Sequence, residues 1–132
     1  ILVINCDLLT KINFRSFLKF HNKNNGVATV CVREFNMQVP YGVINSSNQK
    51  LTGIEEKPVS KYFVNAGVYA INPLLLEGLD GETYIDMPEL LQNKINEDEE
   101  ISVYPLHEYW LDIGEIEQLK QAQKDSKSIL GW

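Results

Sequence analysis

Between Ile1 and Val32 the hydrophobic period changes twice, and that succession limits the chain to folds in which strands and helices alternate. Ile1-Leu2-Val3-Ile4 is a continuous apolar run rich in β-branched residues. It predicts a strand buried on both faces, as in a parallel sheet. Phe14, Phe17, Leu18 and His21 fall at i, i+3, i+4 and i+7, the spacing of one helix face. Asn13 can cap that helix, and Asn24-Asn25-Gly26 stops it. Residues 27–32 then read as a second strand. Asp7 lies just past the carboxyl end of the first strand, where ligands bind in open α/β sheets.

The remainder continues the alternation. Residues 42–44 and 50–56 predict a hairpin joined through Asn45-Ser46-Ser47-Asn48. Residues 65–71 predict a strand, and Asn72-Pro73 opens a short helix through Leu76. Asp86-Met87-Pro88-Glu89 is an aspartate version of a capping box, leading a helix whose buried face is Met87, Leu90, Leu91 and Ile95. Short strands are expected at 101–104 and 109–113, and a last helix at 115–124 with Ile116, Leu119 and Gln123 on one face. The tail from Ser126 is expected to fray. The fold class is α/β: a Rossmann-like mixed sheet flanked by helices, with the hairpin adding antiparallel edges.

With 132 residues, 44% hydrophobic and 23% charged, the chain is one domain of ordinary globular composition. A net charge of −6 argues against binding nucleic acid through a broad basic surface. It leaves room for a phosphorylated small molecule held by one local lysine. No apolar run approaches the length of a membrane span. Cys6 and Cys31 sit in apolar stretches with no Cys-x-x-Cys pattern and no Cys/His cluster, so both are expected in the core of a reduced, cytoplasmic protein. His21 and His107 are expected to be structural. The chain opens inside an apolar run with isoleucine rather than methionine, and is read as a piece of something longer.

Asp7, Glu55-Glu56-Lys57-Pro58 and Asp112 are the residues that can carry chemistry. Asp7 and Asp112 both follow apolar strand segments. If the two strands share a sheet, their carboxylates can meet at one edge as hard oxygen ligands for magnesium; alternatively each caps a helix or turn. Pro58 restricts Lys57 to an extended or turn conformation. A lysine fixed there can hold a phosphate as a point charge, or the segment is a solvated charged run. Asn65-Ala66-Gly67 places small residues in a strand, which marks either close approach of a ligand or tight packing. Tyr41-Gly42 after Pro40 reads by default as a turn.

The order of these motifs is informative. Asn5-Cys6-Asp7, Val39-Pro40-Tyr41-Gly42-Val43, Glu55-Glu56-Lys57-Pro58, Asn65-Ala66-Gly67-Val68-Tyr69 and Tyr109-Trp110-Leu111-Asp112-Ile113-Gly114 follow one another along the chain. This succession resembles the sugar-1-phosphate nucleotidyltransferase family over about residues 1–125. Arg33-Glu34 followed by Val39-Pro40-Tyr41-Gly42 resembles its guanylyltransferase branch, which includes enzymes acting on mannose 1-phosphate or on glucosamine-type 1-phosphates. The resemblance implies that Asp7 and Asp112 are magnesium ligands. It implies that Glu56 binds sugar hydroxyls, Lys57 grips the sugar 1-phosphate, and the Gly42 N–H meets the sugar. Asn65 and Gly67 would line the sugar pocket, and Tyr41 and Trp110 would shape its walls.

Two departures stand out. Cys6 replaces a frequent glycine. The family's glycine-rich loop, which cradles the triphosphate, has no counterpart between any strand and helix here. The resemblance therefore places residues 1–132 as the sugar-phosphate and metal-binding, C-terminal portion of a nucleotidyltransferase domain, with the nucleotide-gripping portion absent. The implied reaction joins a sugar 1-phosphate to a nucleoside triphosphate and releases pyrophosphate, as in polysaccharide biosynthesis, without an enzyme nucleophile. The implied partners are those two substrates and Mg2+, with no nucleic acid and no membrane; a homo-oligomer stays open. The piece alone is expected to be inactive. A catalytically idle regulatory or binding module of the same ancestry, and an unrelated α/β domain that happens to contain these strings, are the alternatives.

Overall fold

A computed structural model describes residues 1–77 and 79–130. Four strands form a mixed sheet in the order β1-β6-β3-β7: β1 (Leu2–Ile4), β6 (Val59–Ile71), β3 (Ala28–Gln38) and β7 (Ile101–Pro105). β6 is antiparallel to both β1 and β3, whereas β3 and β7 run parallel. Two further antiparallel pairs join β2 (Leu8–Thr10) to β8 (Trp110–Asp112), and β4 (Gly42–Ser47) to β5 (Lys50–Glu56). The helices are α1 (Phe14–Asn24), α2 (Met87–Asn96) and α3 (Ile116–Asp125), with a 3-10 turn at Pro73–Leu76. The α/β class and the helix-flanked mixed sheet are as expected.

The pleat of β6 divides the core. Ala66, Val68 and Ala70 face a cluster with Ile12, Phe17, Cys31 and Leu106, beneath α1. Tyr69 and Ile71 face the opposite side, against Ala28, Leu75, Leu90 and Leu91, beneath the 3-10 turn and α2. Alternate residues thus serve two layers. Phe17 is fully buried and meets Tyr104 of β7 edge-on at 5.2 Å between ring centres. Thr29, the buried polar residue of β3, has its hydroxyl 2.9 Å from His21 Nδ1, and burial lowers the His21 pKa. His21 is structural, as expected.

Local signals placed the helix ends correctly. Asn13 Oδ1 accepts the Ser16 N–H at 3.0 Å, Asn25 ends α1 at φ 54°, and Asp86 Oδ1 accepts the Glu89 N–H at 2.8 Å.

Other expectations need correction. β1 is an antiparallel edge strand of the described sheet, with Ile4 exposed, because a short apolar run does not distinguish a central parallel strand from an edge. The hairpin turns at Asn48 and Gln49, both at positive φ, while Asn45 and Ser46 belong to β4 and carry a register shift. β3 and β6 run on to Gln38 and back to Val59 as a ribbon beyond the sheet; backbone pairing, not burial, sustains it. Ile95 of α2 is exposed. Ile116, Leu119 and Gln123 of α3 also face outward; Ala122 is its buried residue, with Asp125 half-buried and bound at 2.6 Å by the Tyr109 hydroxyl of the segment before β8. A polar anchor therefore fixes the face of α3 that packs. Cys31 is buried but Cys6 is exposed, so the expected burial of both holds for Cys31 alone. Ser126–Leu130 form a further π-helical turn where fraying was expected, and the end of that tail, 131–132, lies outside the described residues.

Candidate active site

The organising element is an irregularity in β6. Val30 pairs with Tyr69 and Val32 with Asn65, so Cys31 alone stands opposite Ala66, Gly67 and Val68. The extra length bulges. Gly67 takes φ +69°, a left-handed conformation that glycine adopts freely. The Asn65 side chain fills the bulge: its Oδ1 accepts the Gly67 N–H at 2.9 Å, and its Nδ2 donates to the Tyr69 hydroxyl at 2.6 Å.

Asp7 and Asp112 are brought together next to this bulge. Leu8 pairs with Asp112 in the β2–β8 ladder, and the Asp7 carbonyl accepts the Ile113 N–H at 2.8 Å. The two aspartates thus occupy adjacent positions at one end of one ladder. In a regular strand neighbouring side chains face opposite sides, but Asp7 sits in the turn before β2 and is not held to that alternation. Both residues are exposed. The caps of α1 and α3 are Asn13 and Glu115, and the ion pairs among the described residues are Lys61–Glu34 and Lys94–Glu97. Neither aspartate is therefore engaged as a helix cap or a salt bridge. No group of three or more His, Cys, Asp or Glu poised for a metal occurs among the described residues. A pair of free carboxylates fits a hard cation such as magnesium, which keeps several waters and takes one or two carboxylates together with substrate phosphate; it does not fit a closed zinc site.

A second group assembles at the base of the β4–β5 hairpin. Gly42 pairs with Glu56, and a Cβ on Gly42 would lie 3.0 Å from Glu56 Oε2. The missing side chain lets the Glu56 carboxylate lie over the Gly42 backbone. Lys57 follows at φ 47°, in a left-handed turn before Pro58; its N–H donates to the Tyr41 carbonyl at 3.2 Å, and its carbonyl accepts from Gln38 Nε2 at 3.3 Å. The backbone of Lys57 is thus held on both sides by hydrogen bonds, in a turn rather than the extended conformation that a following proline favours. The Tyr41 side chain is largely exposed. Tyr41, Gly42, Glu56 and Lys57 come together here; Asn65 and Gly67 form the bulge, to which the segments carrying Asp7 and Asp112 are joined through Asn5 and Trp110, and the β6 stretch from Val59 to Asn65 separates the groups along the chain.

Three participants were not singled out for these contacts in the sequence. Trp110 Nε1 donates to the Ala66 carbonyl at 2.9 Å, and the Asn5 N–H donates to the Gly67 carbonyl at 2.8 Å. Arg33 donates to the carbonyls of Leu106 at 3.2 Å and Glu108 at 2.8 Å, holding the chain where it leaves β7. Beside it a groove of about 470 Å³ is lined by Arg33, Glu34, Asn36, Phe63 and His107 among others, and by none of the expected site residues. The Cys31 thiol is pushed up to about 11 by burial, reinforced by the Glu108 charge, and is inert at neutral pH.

The chain is 30% identical over 118 residues to a mannose-1-phosphate guanyltransferase from Yarrowia lipolytica, and 30% identical over 119 residues to a protein of Oryza sativa named "Probable mannose-1-phosphate guanylyltransferase 3", in each case with 86% of the chain and 32% of the relative covered. It is 28% identical over 137 residues to a glucose-1-phosphate adenylyltransferase from Clostridium botulinum, covering 95% of the chain and 36% of the relative. The chain thus spans about a third of the curated relatives it matches. In fold it resembles the crystal structure of HddC from Yersinia pseudotuberculosis, with a TM-score of 0.63 at 19% identity, covering 94% of this chain and 54% of that one. No helix among the described residues is long and apolar enough to cross a membrane. A family model described as "Nucleotidyl transferase" matches residues 1–128, nearly the whole chain, and the protein belongs to that family.

Proposed function

We propose that this chain is the sugar-phosphate and metal-binding portion of an enzyme that transfers a nucleotidyl group from a nucleoside triphosphate to a sugar 1-phosphate, giving an NDP-sugar and pyrophosphate. The observation that carries the reading is the placement of Asp7 and Asp112 at one end of the β2–β8 ladder, tied by the Ile113 N–H to the Asp7 carbonyl. Lys57, with its backbone fixed by Tyr41 and Gln38, orients the attacking phosphate as a point charge. Glu56 and the backbone of Gly42 select the sugar hydroxyls, and Asn65, Gly67 and Tyr41 complete the walls. Magnesium held by Asp7 and Asp112 would supply charge neutralisation at the reacting phosphate. The chain's own work is positioning and charge placement, with no covalent intermediate.

A guanylyl donor is favoured by the Arg33-Glu34 and Val39-Pro40-Tyr41-Gly42 runs and by the likeness to mannose-1-phosphate guanyltransferases. The triphosphate is gripped by residues outside this chain, so the piece alone is inactive. In the full-length protein, Asp112→Asn should lower kcat about a hundredfold, with little change in sugar-phosphate affinity. A kcat within about twofold of wild type, against that expectation, would remove Asp112 from the reaction.

A further inference from the structure

We infer that Trp110 is a positioning residue for the carboxylate pair: its indole N–H moors the Asp112 strand to the same bulge that moors the Asp7 strand. The inference rests on the metal role proposed above for Asp7 and Asp112.

The bulge presents two consecutive carbonyls. Gly67 O takes the Asn5 N–H at 2.8 Å, and Ala66 O takes the Trp110 Nε1–H at 2.9 Å. Asn5 lies two residues before Asp7, and Trp110 two residues before Asp112. Neighbouring atoms of one rigid turn therefore hold both aspartate-bearing segments. The turn is itself fixed from inside by Asn65, bonded to the Gly67 N–H and the Tyr69 hydroxyl. Tyr69 and Ala66 are both buried, so the frame cannot drift. The aspartates are exposed, and the β2–β8 ladder that joins them is only three residues long on each strand. Such a ladder frays easily without an anchor. The indole link supplies that anchor from the buried side.

Groups that orient metal ligands from behind typically change metal affinity ten- to a hundredfold when removed. The test is Mn2+ alone, titrated into the full-length protein and followed by the paramagnetic resonance of the free ion. Trp110→Phe keeps an aromatic ring and removes the N–H; it should raise the Mn2+ dissociation constant about tenfold. Thr10→Val removes the 3.0 Å hydrogen bond that the Thr10 hydroxyl donates to the Tyr109 carbonyl and the 3.2 Å bond it accepts from the Ile12 N–H, without touching the bulge; its Mn2+ affinity should stay within about twofold, below the effect expected of a mooring group. Unchanged affinity in Trp110→Phe, or equal losses in both variants, would overturn the positioning role. If Trp110→Phe does not fold, Tyr69→Phe takes its place. It loosens Asn65 inside the bulge and should weaken Mn2+ in the same direction; no change overturns the inference. Asp112→Asn is measured alongside. Undiminished Mn2+ binding there removes the metal reading and the inference with it, whereas loss there without loss in Trp110→Phe removes the inference alone.

Discussion

Gly67→Ala should destabilise the protein by about 1–4.5 kcal/mol, against the usual direction of a glycine-to-alanine change. At a site with ordinary backbone angles and free space, alanine stabilises by about 0.4–1 kcal/mol, because it restricts the unfolded chain. Gly67 has neither. Its φ of +69° is a conformation that costs an L-residue about 1–2 kcal/mol. An added Cβ would lie 2.8 Å from Asn5 Nδ2, 2.9 Å from Asn5 Cγ and 2.9 Å from Leu8 Cδ1. Leu8 packs against the buried core and does not yield freely, whereas the exposed Asn5 side chain can swing aside, so Leu8 sets the packing cost. Overpacking of this kind adds about 1–3 kcal/mol. Urea unfolding should show the midpoint falling by roughly 1 M with the slope unchanged, given slopes of about 1–3 kcal/mol per molar. Gly81→Ala is the comparison: φ there is +75° but nothing lies within 4 Å of the new Cβ, so strain acts alone and the loss should be smaller. Equal midpoints for wild type and Gly67→Ala, or a rise, would refute the bulge geometry on which the site description depends.

Lys57→Met in the full-length protein should weaken sugar 1-phosphate binding about tenfold to a hundredfold while leaving nucleotide binding nearly intact, as read by calorimetry with each ligand. Equal losses for both ligands, or none for the sugar phosphate, would return Lys57 to the solvated surface. Burial, followed by the hydrogen bond to Asp125, pushes Tyr109 up to about 12. Folding thus favours its protonated form, so its contribution is complete below the ordinary tyrosine value of about 10 and is lost as pH rises toward 12. The urea midpoint of wild type should fall across that window more steeply than that of Tyr109→Phe; parallel curves would contradict the Tyr109–Asp125 anchor.

Elements with strong local chemistry were legible in the sequence. Asn13, Asn25 and Asp86 mark helix ends because caps are decided within a few residues, and the structure places them so. The apolar run of β6 was readable where it is buried, from Ala66 onward, and silent where the ribbon leaves the core. The orientation of α3 was not readable, because a distant hydrogen bond from Tyr109 to Asp125 decides it, not an apolar stripe. At the site, the sequence singled out residue types: paired aspartates, a lysine before proline, small residues in a strand. It could not supply the bulge that converts Asn65-Ala66-Gly67 from a soft stretch of strand into a fixed turn, because that depends on which residue of β3 pairs with which residue of β6. For the same reason the indole of Trp110 read as a wall rather than a link.

The most direct test of the account is pyrophosphate release by the full-length protein with magnesium, across pairs of nucleoside triphosphate and sugar 1-phosphate, with the 132-residue chain assayed in parallel. Release is expected from the full-length protein, fastest with GTP and mannose 1-phosphate, and none from the chain alone. No release with any pair would contradict the proposed reaction, and turnover by the chain alone would contradict its assignment as the sugar-phosphate portion of a larger site.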